Sequence, residues 1–290
     1  MGELDEAIRE HYRQADLGPR ILAAAAEAGL DLDTLTAADL APFDQFHIRG
    51  REATCELAGL AGLGHGMRVL DLGCGIGGPA RTLASEFGCE VEGVDLVEEY
   101  CRAATVLTER VGLGGRVRFR PGDVRALPFE SGSFDVVWVQ HMMMNLPDKA
   151  RVLGEVRRVL RAGGGLALHE AAAGTVSPPH FPLPWASDGV IDFLLPPEAL
   201  RRMLVAVGFT VRVWHDVTGA SLAWFRAVKA ARAASAAGPA GKRAPGLRVL
   251  MGADAGEKVA NLVRNLAEDR VRVVLAVAGR ADRPVKVSAR

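Results

Sequence analysis

Between Met67 and Ala172 the sequence alternates short apolar runs with helical stretches, and this alternation restricts the fold more than any other feature of the 290 residues. MRVLDL, CEVEGVDL, RVRFRPGD, GSFDVVWVQ and GLALHEAA are the apolar runs; PARTLASEFG, EEYCRAATVLTERVGL and DKARVLGEVRRVLRAGG are the helical ones. Runs of this kind suit strands covered on both faces, and helices of this length between them carry right-handed crossovers. The expectation is an α/β fold, a largely parallel sheet between helical layers. Gly163 is expected just past the end of the third of these helices. TVRVWHDV, after the helix PEALRRMLVAVGF, and the β-branched RVRVVLAVAGR add two strands. The last is expected to insert into the same sheet rather than start a new domain.

The segments around this core differ in kind. Residues 3–29 read as one or two helices closed by Gly29; another helix breaks near Pro42, and one more runs from about Arg49 to Leu63. This prelude, 1–64, is too short to stand alone, so it is expected to cover the edge or mouth of the cofactor-sized core at 65–172. Residues 173–200 carry prolines at 178, 179, 182, 184 and 196 without a repeating period, which suits a lid or binding loop on the substrate side. AAGPAGKRAPG, 236–246, is low in complexity and is expected to be a flexible loop. The whole of 1–290 is read as one domain.

Composition narrows the function classes. With 49% hydrophobic and 24% charged residues the chain is neither disordered nor a coiled coil. Thirty-five basic residues balance thirty-five acidic ones, so no global field draws in nucleic acid or an anionic membrane. The four cysteines form no CxxC pair, and no cluster has metal-ligand spacing, so no metal is expected. MGELDEAIRE is polar and acidic where a signal peptide needs a basic start and an apolar run. A cytoplasmic protein follows as the expectation, with a small-molecule substrate and an open oligomeric state.

VLDLGCGIGG, at 69–78, carries the most chemical information. Directly after a strand, Gly73, Gly75 and Gly77 permit close backbone approach, and the next helix offers free N–H groups to a polar ligand. Asp95 lies 20 residues beyond Gly75 at the end of the second strand, where a carboxylate can accept from both hydroxyls of a ribose. Asp71 precedes the first glycine by two residues. An acid there repels a pyrophosphate and suits a ligand with a cationic end, which disfavours NAD.

Jointly these residues resemble the class I S-adenosylmethionine-dependent methyltransferases, over about 67–172 and more loosely to 278. The resemblance implies a Rossmann-like fold, a mostly parallel seven-stranded sheet with an antiparallel terminal strand, under the N-terminal helical cover. It implies that Asp71, Gly73 and Gly75 surround the methionine end of S-adenosyl-L-methionine, that Asp95 takes the ribose and that Leu96 also belongs to the cofactor site. GDVRALPF resembles a further motif, implying Asp123 beside the adenine amino group and Val124 against the ring. FDVVWVQHMMMNLPD, a helix and LRAGGGLAL complete the likeness. Within the superfamily the chain is similar to the small-molecule branch, which includes the sarcosine and dimethylglycine, phosphoethanolamine, ubiquinone or menaquinone, and tocopherol enzymes. QHMMMNLPD stands where enzymes acting on nucleic-acid bases carry an NPPY type of motif, so nucleic acid is a poor substrate.

Methyl transfer from a sulfonium is a direct displacement that needs alignment, exclusion of water and an exit for one proton. The site lies beyond the carboxyl ends of the strands. There, His141 either takes a proton or caps a turn, and Gln140 either holds a ligand or packs beside the cofactor. Glu170 either binds a cationic amine or partners a prelude arginine. Phe46 and His47 in the prelude, with Trp185 and Phe193 in the insertion, either enclose the substrate or simply pack. An amine is the preferred acceptor. The alternatives are O- or C-methylation of a quinone, phenol or natural product, and a cofactor-binding protein without turnover.

Overall fold

The computed structural model describes residues 2–236 and 248–281. Seven strands form one sheet: β1 (Arg68–Leu72), β2 (Glu90–Asp95), β3 (Val117–Pro121), β4 (Phe134–Gln140), β5 (Leu160–Ala173), β6 (Phe209–Asp216) and β7 (Val271–Arg280). Their order is β3-β2-β1-β4-β5-β7-β6, parallel from β3 to β5, with β7 antiparallel to both of its neighbours. The closing strand therefore does insert into the sheet. Its residues 271–278 are buried in alternation-free fashion except Arg272, as a two-sided interior position requires.

The helices are α1 (Glu3–Tyr12), α2 (Leu17–Glu27), α3 (Ala37–Asp44), α4 (Gly50–Ala61), α5 (Gly78–Phe87), α6 (Glu98–Arg110), α7 (Lys149–Val159), α8 (Pro197–Val207), α9 (Thr218–Ala236), α10 (Arg248–Met251) and α11 (Ala255–Ala267). The period of two along each strand divides them into layers. Val69, Val91, Val136 and Trp138 face a core shared with Leu57 of α4, Leu83 of α5 and Leu262 of α11. Leu70, Val94, Val137 and Val139 face the opposite core, with Val152, Leu153 and Val156 of α7 and Leu204 of α8. The prelude has its own contact surface: Leu17 and Ile21 of α2 and Leu40 and Phe43 of α3 pack on Tyr100, Ala103 and Leu107 of α6.

Two boundaries differ from expectation. The helix expected to break near Pro42 continues to Asp44, started by a capping box in which Thr36 and Asp39 exchange hydrogen bonds. Helix α7 stops at Val159, and Gly163 lies within β5 at φ +73° instead of past a helix end. Leu160 is fully buried opposite Phe134, so the sheet claims it, and the register shift between Phe134 and Val136 absorbs the extra residues. Of the loop expected at 236–246, all but Ala236 lies outside the described residues. No helix among the described residues is long and apolar enough to cross a membrane.

Candidate cofactor and acceptor site

The chain leaves β1 for β2 on one side and crosses from β3 to β4 on the other side of β1, so the sheet has a topological switch point between β1 and β4. A cavity of about 440 Å³ opens at the carboxyl ends of these strands, within the size range of small-molecule sites.

Its floor is the glycine turn. The chain leaves β1 with the Gly73 amide donating to Val94 O at 2.8 Å and φ at +67°, which a side chain rarely adopts. A Cβ there would stand 2.4 Å from Met142 Cγ. Gly75, at φ +53°, donates to Asp95 Oδ2 at 2.8 Å and has open space where its side chain would be. Asp95 Oδ1 accepts from the Val97 amide at 2.9 Å, so one carboxylate fixes both the turn and the start of α6. Burial pushes the Asp95 carboxyl up, opposed by these amide bonds.

Asp71 is the anomaly. It is 2% exposed, its Oδ2 has no hydrogen-bond partner, and burial, reinforced by the Asp95 charge, pushes its carboxyl up to about 8. A buried carboxylate without a partner is costly, and a ligand cation removes the cost. Asp123 differs: burial pushes it up, but bonds from the Arg125 amide and Nε at 2.8 Å hold it below the usual carboxylate range. Arg125 Nη2 also reaches both oxygens of Asp5 in α1 at 2.8 Å, so the prelude is clasped to the site. Leu96 and Val124 line the cavity beside these acids.

Beyond β4 the chain turns sharply at His141, φ +50°. Its Nδ1 lies 3.0 Å from His169 O, its Nε2 is buried without a protein partner, and burial lowers the imidazole to about 4. Gln140 lines the same wall; its Oε1 accepts from Trp138 Nε1 at 2.7 Å and Thr54 Oγ1 at 3.2 Å. His47, lowered to about 3 by burial and then by His141, donates from Nε2 to Gly50 O at 2.9 Å. Phe46, His47 and Trp185 all line the cavity.

Glu170 and Phe193 do not. Glu170 Oε1 accepts from the Met142 and Met143 amides at 2.9 and 3.0 Å, so the carboxyl is tied behind the turn and forms no ion pair with an arginine among the described residues. Phe193 is drawn away by its backbone, whose amide donates to Met144 O while its carbonyl accepts from Lys149 Nζ at 2.5 Å. Sequence reasoning also missed part of the wall. Ile8 and Tyr12 come from α1, Trp224, Phe225 and Val228 from α9, Met251 from α10, and Val259 and Leu262 from α11. The Tyr12 hydroxyl donates to Asn145 Oδ1 at 2.8 Å, closing α1 over the His141 turn. Asp44 was missed too; it pairs with the fully buried Arg81 of α5 at 2.7 Å and so joins the prelude to the glycine turn, where Arg81 also donates to Ile76 O.

Residues 70–168 match the family described as a methyltransferase domain, the stretch that contains both strand-end acids and the glycine turn. Over this stretch the chain carries a methyltransferase domain. The chain is 38% identical over 114 residues to the sterol 24-C-methyltransferase ERG6B of Gibberella zeae, covering 39% of this chain and 30% of that one. It is 35% identical over 130 residues to the methyltransferase GfsG of Streptomyces halstedii, covering 45% and 47%. The chain thus spans less than half the length of these relatives. In fold it resembles the [4+2]-cyclase SpnF, at 22% identity and a TM-score of 0.66 over 97% of both chains.

Proposed function

We propose that this chain transfers the methyl group of S-adenosylmethionine to a small molecule. The observation that carries the proposal is Asp71: a buried, unpartnered carboxylate oxygen beside the glycine turn fits the ammonium of the cofactor's methionine end. Asp95, held by two amides, presents its remaining lone pairs to the ribose; Asp123 meets the adenine amino group, and Leu96 and Val124 flank the ring. When bound, the cofactor supplies an electrophilic methyl on a positively charged sulfur. The protein's part is placement and dryness. Phe46, Trp185 and α1 exclude water, and neutral His141 stands at the cavity wall to accept the proton that the acceptor releases. The printed names of the relatives, which act on a sterol carbon or are simply called methyltransferases, support a small-molecule acceptor. The preference for an amine rested on Glu170 holding a cationic substrate and His141 taking the proton, and the Glu170 carboxyl is tied to the Met142 and Met143 amides.

Calorimetry with S-adenosylhomocysteine tests the cofactor assignment. Asp71→Asn and Asp95→Ala are each expected to weaken binding by ~1.5–3 kcal/mol, about 10–150-fold. Unchanged affinity in both variants refutes the assignment. Binding without methyl transfer to any member of a broad panel of labelled-methyl acceptors refutes the transferase reading and leaves a cofactor-binding protein.

A further inference from the structure

β6 and β7 lie side by side and antiparallel, an arrangement that a turn of two residues can join. Residues 217–270 stand between them instead and build α9, α10 and α11. The pairing of the strands does not require these helices. All three contribute to the wall of the cavity that holds the glycine turn.

The apolar side chains that they bring divide into two sets. Phe225 and Leu262 line the cavity and also pack into the sheet's core. Trp224, Val228, Met251 and Val259 line the cavity, are half-buried, and belong to none of the three hydrophobic cores of the described residues. Apolar surface left facing an open chamber is unfavourable in water, and an apolar occupant removes that cost. Charge is distributed the other way. Among the described residues, every carboxylate that lines the cavity, and its one guanidinium, comes from the prelude or from the chain at the ends of β1, β2 and β3; α9, α10 and α11 contribute none. The cofactor takes the charged part of the cavity, and the wall of α9–α11 is left to the second substrate.

We propose that this wall selects the methyl acceptor by its apolar body, with Trp224 and Val259 fixing how long that body is; the inference rests on the cofactor assignment made above. The acceptor carries a chain or ring system of several carbons, held here by contact area and not by ion pairs. Trp224 stands edge-on to Phe225, with ring centroids 5.1 Å apart, so its ring is braced by a residue of the core. Val259 lies three residues before Leu262 on α11 and so shares the helix face that Leu262 roots in the core. The thioether of Met251 adapts to the shape of the occupant. A small polar amine leaves this surface wet.

Calorimetry on the protein saturated with S-adenosylhomocysteine, using 1-hexanol and 1-octanol as probes, tests the wall. Each methylene moved from water onto an apolar surface is worth about fourfold in affinity, so 1-octanol is expected to bind at least about tenfold more tightly than 1-hexanol. In Val259→Trp the added ring fills the space that the longer chain uses. The two alcohols are then expected to bind within about twofold of each other, with S-adenosylhomocysteine affinity equally unchanged. A second readout does not depend on that variant folding: the bromine of 8-bromo-1-octanol quenches an indole that it touches, and quenching of the tryptophan emission is expected to be largely lost in Trp224→Phe. No gain from 1-hexanol to 1-octanol in the parent, a full gain kept in Val259→Trp, or quenching undiminished in Trp224→Phe overturns the inference. Failure of the parent to bind S-adenosylhomocysteine at the outset sinks the cofactor assignment instead, so the two failures are distinct.

Discussion

Glu170→Gln gives the most direct measure of what the buried turn behind His141 requires. In the folded protein burial pushes the Glu170 carboxyl up to about 7, against 4.5 for an ordinary glutamate. A raised acid means that the folded state holds its proton where the unfolded state has lost it, so unfolding free energy falls as pH rises through this window. Above the folded value the full penalty is in place. Integrated between pH 5 and pH 8, the shift amounts to about 2–3 kcal/mol. Glutamine keeps an oxygen for the Met142 and Met143 amides and never ionises, so the variant is expected to gain that amount on its parent over the same interval. Asp71, His47 and His141 titrate equally in both proteins and cancel, while the attraction from Lys149 opposes the gain and is already contained in the shift. Urea unfolding of both proteins at pH 5 and pH 8 measures the difference. A stability gap that does not change with pH refutes the buried-acid argument. Glu170→Ala serves as the contrast: it leaves both amides without an acceptor and is expected to lose about 2–4 kcal/mol at pH 5, a loss that shrinks by the same amount at pH 8 because alanine does not ionise either.

Gly73→Ala places a Cβ 2.4 Å from Met142 Cγ at φ +67°, so it is expected to cost about 2–4 kcal/mol in thermal or urea unfolding and to displace the His141 turn. A variant as stable as the parent contradicts the close approach of the two turns. Asp5→Asn removes the charge that Arg125 grips with two bonds of 2.8 Å, and α1 is expected to open: trypsin should cut faster at Arg13, and S-adenosylhomocysteine should dissociate several-fold faster. Equal cleavage and equal off-rates show that the clasp does not hold the cover.

The sheet was legible because apolar runs separated by helices of fixed length admit few arrangements, and the glycine turn marked the switch point within it. Asp71 and Asp95 followed from their positions at the ends of two strands. Glu170 did not. On β5 consecutive side chains alternate between faces, and nothing in HEAA tells which of His169 and Glu170 looks toward the cavity; in the event neither lines it. The acceptor wall was hidden for another reason. Leu262 and Val259 in α11, or Trp224 and Phe225 in α9, announce an apolar helix face, but periodicity is silent about whether that face meets a core or an empty chamber. The Asp44–Arg81 pair lies 37 residues apart, so only the packing of α3 on α5 reveals it.

The placement of β7 between β5 and β6 bears on how the chain is made. About 100 residues separate the end of β5 from the start of β7, so at ~5–20 residues per second a ribosome leaves the long β5 edge unpaired for roughly 5–20 s. During that interval β6 also lacks its sheet partner, since β7 is the strand it pairs with. An open edge built largely of glycine, alanine and leucine is a template for pairing between nascent chains. The half of the sheet that holds the glycine turn is complete first, so the β1–β4 switch point is in place before the last strand is translated.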